Sequence, residues 1–288
     1  MIKKMFFAAL AFGFFATSCS SDDDNSPTNS ELTLNLSGLE ALGTNYVYEG
    51  WIIVDGNPVS TGTFSSVVFP QSFSVNTMQL NEASAFVLSI EPAVDNDPAP
   101  AATKILRGEF SGSTASVNTD LIGDFSNASG AFFLRTPTDE TSGNNMNDQY
   151  GVWFGTPGMP PSPNFNLPSL PVGWAYEGWV VGDSGPLSTG TFTQFNTVDS
   201  AAPFSGTAQA GPPVPGEDFF MNAPIGETFP LDIRGRTVVI SVEPVPDDSP
   251  APFAIKPLVG TAGNDTAPAT HAFGLNLTSF PTGLVTRN

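Results

Sequence analysis

Along most of the chain apolar residues recur with a period of two, the period of a strand with one side chain up and the next down. In residues 46–54, Tyr46, Tyr48, Gly50, Ile52 and Val54 alternate with Val47, Glu49, Trp51 and Ile53, and both sets are mostly apolar. A strand covered on both faces has this composition, so the pattern predicts a central strand. Asp55-Gly56-Asn57-Pro58 supplies turn chemistry, and residues 59–64 return as the second arm of a hairpin. Residues 86–90 and 236–242 predict strands stopped by Glu-Pro, because proline cannot donate to a ladder. Residues 32–36 and 150–154 predict earlier edge strands, and 131–135 and 271–277 later ones. Helical periodicity is absent outside residues 5–17, so the expected fold class is all-β.

The pattern occurs twice. Tyr48-Glu49-Gly50-Trp51 returns as Tyr176-Glu177-Gly178-Trp179, and Ser60-Thr61-Gly62-Thr63-Phe64 as Ser188-Thr189-Gly190-Thr191-Phe192, both displaced by 128 residues. Ser89-Ile90-Glu91-Pro92 returns as Ser241-Val242-Glu243-Pro244, and Lys104 and Gly108 as Lys256 and Gly260, now displaced by 152. The second copy therefore carries 24 extra residues between Phe192 and Ser241, rich in Gly and Pro, which read as an elongated surface loop. The expected architecture is two tandem β-sandwich-like domains of similar topology, 31–138 and 149–288, with the polar stretch 138–149 as linker.

The amino-terminal segment reads as an address. Lys3 and Lys4 precede a 13-residue apolar run, 5–17, too short to cross a bilayer comfortably and matched to a signal peptide. Ala16-Thr17-Ser18-Cys19 resembles the lipobox of bacterial lipoproteins, which implies a signal peptide over 1–18 and lipidation of Cys19. Ser20-Ser21-Asp22-Asp23-Asp24 looks like the acidic surface-export signal of Bacteroidetes-type lipoproteins, and 19–30 reads as a flexible acidic tether. The expected location is the outer membrane, anchored by lipid, facing the cell surface or alternatively the periplasm.

Charge and composition narrow the chemistry. The chain carries 28 acidic and 9 basic residues, net −19, a balance that repels phosphate backbones and excludes nucleic acid as partner. With one Cys and one His there is no intrachain disulfide and no Cys/His zinc cluster. Gly182-Asp183-Ser184-Gly185-Pro186 superficially looks like a serine-protease nucleophile loop, but its counterpart in the first copy is the Ser-free turn at Asp55, and His271 has no equivalent. Glu49 and Glu177 lie mid-strand, where Lys104 and Lys256 are the expected partners. Asp95-Asn96-Asp97 and Asp247-Asp248 occupy equivalent loops that read as solvated rather than as calcium cages. Trp51 and Trp179, with Tyr48 and Tyr176, read as core residues before sugar platforms. Asp199-Ser200-Ala201 and Asp265-Thr266-Ala267 match a short Bacteroidetes-type O-glycosylation motif, which nominates Ser200 and Thr266.

In the order of its motifs the sequence resembles the C-terminal extracytoplasmic domain of the anti-sigma-K-factor family. Tyr48 and Trp51, Pro58-Val59-Ser60-Thr61-Gly62-Thr63-Phe64, Ile90-Glu91-Pro92 and Gly108 fit its pattern in one copy. Tyr176 and Trp179, Pro186-Leu187-Ser188-Thr189-Gly190-Thr191-Phe192, Val242-Glu243-Pro244 and Gly260 fit it in the other. The resemblance spans 31–110 and 170–262 and implies an all-β, sandwich-like fold. Anti-sigma factors of the family place a sigma-binding segment and a transmembrane helix before this domain, and neither is read here. The resulting expectation is a non-enzymatic lipoprotein without cofactor or metal, a sensory, regulatory or interaction module with an unknown protein or glycan partner. The alternative is a glycan- or polymer-binding surface lipoprotein.

Overall fold

The computed structural model describes residues 28–288; the segments expected to be signal peptide and tether, with Cys19, fall almost wholly outside the described residues. The strands in chain order are β1 (Asn29–Ser37), β2 (Tyr46–Val54), β3 (Asn57–Phe64), β4 (Gln71–Asn76), β5 (Ala85–Pro92), β6 (Lys104–Glu109), β7 (Thr114–Val117) and β8 (Ala131–Leu134). They continue as β9 (Gly151–Phe154), β10 (Trp174–Val181), β11 (Pro186–Phe192), β12 (Gly216–Asp218), β13 (Thr237–Pro244), β14 (Leu258–Thr261), β15 (His271–Ala272), β16 (Gly274–Leu275) and β17 (Thr282–Arg287). One short helix, α1 (Thr77–Glu82), interrupts them, capped by the Asn76 side chain, which accepts from the Met78 and Gln79 amides at 3.0 and 3.2 Å.

Four antiparallel sheets result, so the protein is all-β. The first sandwich sets β4-β1-β17-β7 against β3-β2-β5-β6; the second sets β12-β9-β8-β15 against β11-β10-β13-β14-β16. Position by position the two share an order: β9 stands where β1 does, β12 where β4 does, β15 where β7 does, and β8 where β17 does. The strands of the second sandwich are consecutive in sequence, whereas the first takes an internal strand, β17, from the far end of the described chain.

Two expectations change here. Residues 131–135 do not close the first copy: Phe132, Phe133 and Leu134 pair with Phe154, Trp153 and Val152, inside the second. The stretch 138–149 is consequently the β8–β9 connection, and it contains two 3-10 turns and the buried Thr138 and Asp148. Pattern reading missed this because Ala131–Leu134 is a short run apolar at every position, and only the pairing partner distinguishes its sheet. The 24-residue excess of the second copy is likewise not a loop left in solvent. It carries β12 and buries Val214, Glu217, Asp218, Phe219 and Leu231.

A single buried apolar cluster runs through both sandwiches, from Leu32, Leu34 and Val285 through Tyr48, Ile52 and Phe86 to Phe154, Tyr176 and Ile240. The alternation read in β2 accounts for its share: Tyr48 and Ile52 enter the cluster, while Trp51 is buried on the opposite face. The repeated Ser-Thr-Gly-Thr-Phe motif encodes a bulge. Register slips between Gly50 and Trp51 and again between Gly178 and Trp179, and Gly62 and Gly190 adopt φ of 119° and 116°, a region that side chains avoid.

Candidate functional site

The repeated motifs build one hydrogen-bond relay twice. In the first copy the Trp51 indole donates to Ser89 Oγ at 2.8 Å, Ser89 donates to Glu91, and Glu91 Oε1 accepts the Ala101 amide at 2.8 Å. In the second, Trp179 donates to Ser241 at 2.7 Å, Ser241 donates to Glu243, and Glu243 accepts the Phe253 amide at 2.9 and 3.1 Å. Each serine accepts one bond and donates one, so a relay runs from the strand to the proline-rich loop without a stranded polar group. The tyrosines repeat as faithfully: Tyr48 donates to the Glu40 carbonyl at 2.8 Å and Tyr176 to the Pro168 carbonyl at 2.6 Å, each eight residues upstream.

Glu49 and Glu177 pair with neither lysine. They accept from Ser60 and Ser188 on the neighbouring hairpin arm, and Lys104 Nζ donates to the Ala101 carbonyl at 2.8 Å. The bulge brings these serines diagonally opposite the glutamates, whereas Lys104 lies two strands away. Trp51 and Trp179 are 3% and 2% exposed, so neither presents a ring face to a sugar.

Buried carboxylates distinguish the second copy. Burial pushes Glu243 up to about 8, helped by Glu177 and Asp247, and raises Glu177 and Asp247 themselves. Carboxylate oxygens of Glu177, Glu243 and Asp247 lie within 4.8 Å of one another, the donor set of a hard cation such as calcium. All three are, however, already engaged: Glu243 by Ser241 and the Phe253 amide, Glu177 by Ser188, and the exposed Asp247 by the Ser249 amide at 2.9 Å. Asp95, Asp97 and Asp247 each bond a backbone amide two residues on, and Asp248 takes the Asn45 side-chain amide at 2.6 Å, joining the sandwiches.

Sequence reading missed a further network in the long connection of the second copy. Asp218 accepts from the Thr138 amide at 2.8 Å, the Thr138 hydroxyl and the Trp153 indole at 2.9 Å; Glu217 accepts from Ser205. Burial pushes Asp218 up to about 7 and Glu217 up to about 8, and Asp199 to about 7. The adjacent Glu217-Asp218 pair between apolar neighbours was the available signal, hidden because the surrounding Gly and Pro read as loop.

The remaining candidates are kept apart. The Ser184 hydroxyl and amide both donate to Glu227 Oε1, at 2.7 and 2.6 Å, in a capped turn. His271 bonds Gly263 and the Asp265 carbonyl and packs against Phe132. Ser200 is exposed but its hydroxyl engages Thr191 at 2.8 Å, and Thr266 is half-buried. Among the described residues no helix is long and apolar enough to cross a membrane.

Fold and relays together define an all-β protein of two sandwiches built on one hydrogen-bonded motif. Residues 24–105, which carry the first Tyr-x-x-Trp strand, its hairpin and the Glu-Pro strand, match the family model described as Anti-sigma-K factor rskA, C-terminal. No curated protein and no solved structure matches the chain.

Proposed function

We propose that the protein is an exported, lipid-anchored module of anti-sigma type, in which two such domains in tandem sense or relay a signal through a protein partner outside the cytoplasm. The observation that carries this reading is the family match over residues 24–105, which suggests a regulatory role. The recurrence of the Trp–Ser–Glu relay in the second sandwich supports extending it to a tandem pair. In this reading the leader and Cys19 are a lipoprotein address, so the chain acts on the far side of the membrane without touching a sigma factor itself, and without catalysis, cofactor or nucleic acid. The anchor is tested by Cys19→Ser, which should move the protein from the membrane to the soluble fraction. The regulatory role is tested by deleting the chain in its host: transcripts of an alternative sigma-factor regulon should change and return on complementation. An unchanged transcript profile would remove the regulatory reading.

A further inference from the structure

In the second sandwich the long connection covers its own sheet edge. Residues 199–201 lie along β11: the Ser200 amide donates to the Thr191 carbonyl at 2.8 Å, the Thr191 amide donates to Ser200 Oγ at 2.9 Å, and the two hydroxyls are 2.8 Å apart. The N–H and C=O of Thr191 therefore face away from β10, towards the outer edge of the sheet. Thr63 holds the same place on β3, opposite Glu49 as Thr191 is opposite Glu177, and beyond the same bulge. The first copy lacks the long connection, and among the described residues nothing bonds the Thr63 amide or carbonyl from outside. Exposure follows suit: Thr63 is exposed and Thr61 and Gly62 are half-buried, whereas Thr191 is half-buried and Thr189 and Gly190 are buried. Phe73 stands beside Gly62 where Ala201 stands beside Gly190, but its ring supplies neither N–H donor nor carbonyl acceptor. An unpaired edge of this kind is a template for another strand.

Charge selects what the edge accepts. No Lys, Arg or His lies between Lys4 and Lys104, so β1 to β5 and their connections carry Glu31, Glu40, Glu49, Asp55, Glu82 and Glu91 and no cation. Lys104 and Arg107 belong to β6, the opposite edge of the sheet. Glu49 faces the same side of the sheet as Thr63, because paired residues on neighbouring strands share a face, and it accepts only from Ser60. In the second copy the side chain of Ser200 stands on the corresponding face, since its hydroxyl meets that of Thr191. A basic side chain at that position of an added strand would cross Thr63 and reach Glu49. The segment comes from another protein: residues 19–30 are acidic and a second copy carries the same net −19, so both are repelled.

We propose that the outer edge of β3 accepts an extended, basic segment of a partner polypeptide as an added strand, Thr63 exchanging backbone hydrogen bonds with it and a Lys or Arg opposite Thr63 pairing with Glu49. This contact rests on the regulatory reading for its biological setting only, since peptide binding is measured whether or not transcripts change on deletion.

The test is a titration of the purified, isotope-labelled full chain with the acetylated and amidated peptide Thr-Val-Thr-Lys-Thr-Val, read at the Thr63 amide resonance. Thr191 is the internal control, because Ser200 already holds its amide. A saturable shift is expected at Thr63 and none at Thr191. Replacing the Lys of the peptide by Glu should weaken binding at least about tenfold, the worth of one charge-assisted hydrogen bond, and Glu49→Gln, which keeps an acceptor for Ser60, should weaken the Lys peptide about as much. The pair of peptides decides the matter on the parent protein if Glu49→Gln does not fold. Absence of a saturable shift at Thr63, equal binding of the Lys and Glu peptides, an equal shift at Thr191, or undiminished binding to folded Glu49→Gln overturns the proposal. A Thr63 shift that grows with protein concentration alone, together with a dimer in sedimentation, would overturn it in favour of a second copy.

Discussion

The two sandwiches share eight strand positions and differ in how each is supplied. In the first, short connections suffice and an internal position is filled by β17. In the second, all strands are consecutive, and the extra length goes into buried carboxylates, a cleft and an edge strand. The Tyr–carbonyl bond and the Trp–Ser–Glu relay are held in common because the first ties the central strand to the segment that precedes it and the second ties it to the proline-rich loop further on. Divergence collects in the connections, where backbone and side chains are less constrained by neighbouring strands.

The largest effect is expected from deleting residues 282–288. The first sandwich then loses a strand hydrogen-bonded on both sides, to β1 and β7, and should unfold while the second stays folded. Limited proteolysis should digest residues 29–118 and spare a fragment from β8 to β16; equal resistance of both halves would count against the shared strand. Next in size, Trp51→Ala and Trp179→Ala should each cost about 3–5 kcal/mol in chemical denaturation, as loss of a large buried aromatic does. Unequal costs would show that the relays are alike in geometry only. A smaller loss, about 2 kcal/mol, is expected for Arg287→Ala. Its guanidinium donates to the Leu80, Asn81, Ala83 and Gly112 carbonyls at 2.8 to 3.0 Å and lies 4.6 Å from the Phe110 ring centroid.

The pH response should also separate the halves. In the second sandwich Glu217 and Glu243 are raised to about 8 and Asp199 and Asp218 to about 7; in the first, Glu91 is raised by burial. Each folded pKa lies above its unfolded value, so the neutral form is favoured by folding. That stability is fully present below the unfolded pKa, near 4, and is lost as pH rises through 7 to 8. The melting temperature should therefore fall between pH 5.5 and 8.5, by about 5 °C, and Glu217→Gln should flatten the fall. A melting temperature that rose over this interval would contradict the buried, neutral carboxyls. The smallest effect is expected from chelator, none on melting, since Glu243 is held by Ser241 and a backbone amide; a drop reversed by calcium would assign an ion to Glu177, Glu243 and Asp247.

Much of this was legible from residues alone. β2 and its turn follow from alternation and from Asp55-Gly56, whose φ of 49° and 79° give the primed turn that hairpins favour. The doubled motif correctly announced a doubled hairpin. What alternation does not encode is the partner: nothing in Thr282–Arg287 says that it pairs with Leu32–Ser37, some 250 residues earlier. Short strands such as Gly216–Asp218, set among Gly and Pro, fall below any periodic signal. The ion pair of Arg135 with Glu140, at 3.1 Å, was invisible for another reason, since five residues of separation across a turn carry no helical or strand spacing.

The position of β17 also sets a schedule. A chain that emerges from its start makes β1 to β7 first, yet these cannot complete their sandwich until some 160 further residues have appeared. The second sandwich, consecutive from β8 onward, can close before the first, so the part made earliest finishes last. Until then β1 and β7 each present an open edge where β17 will insert, and edges of this kind pair readily with other strands. Whatever escorts the chain during its synthesis must shield those edges longest.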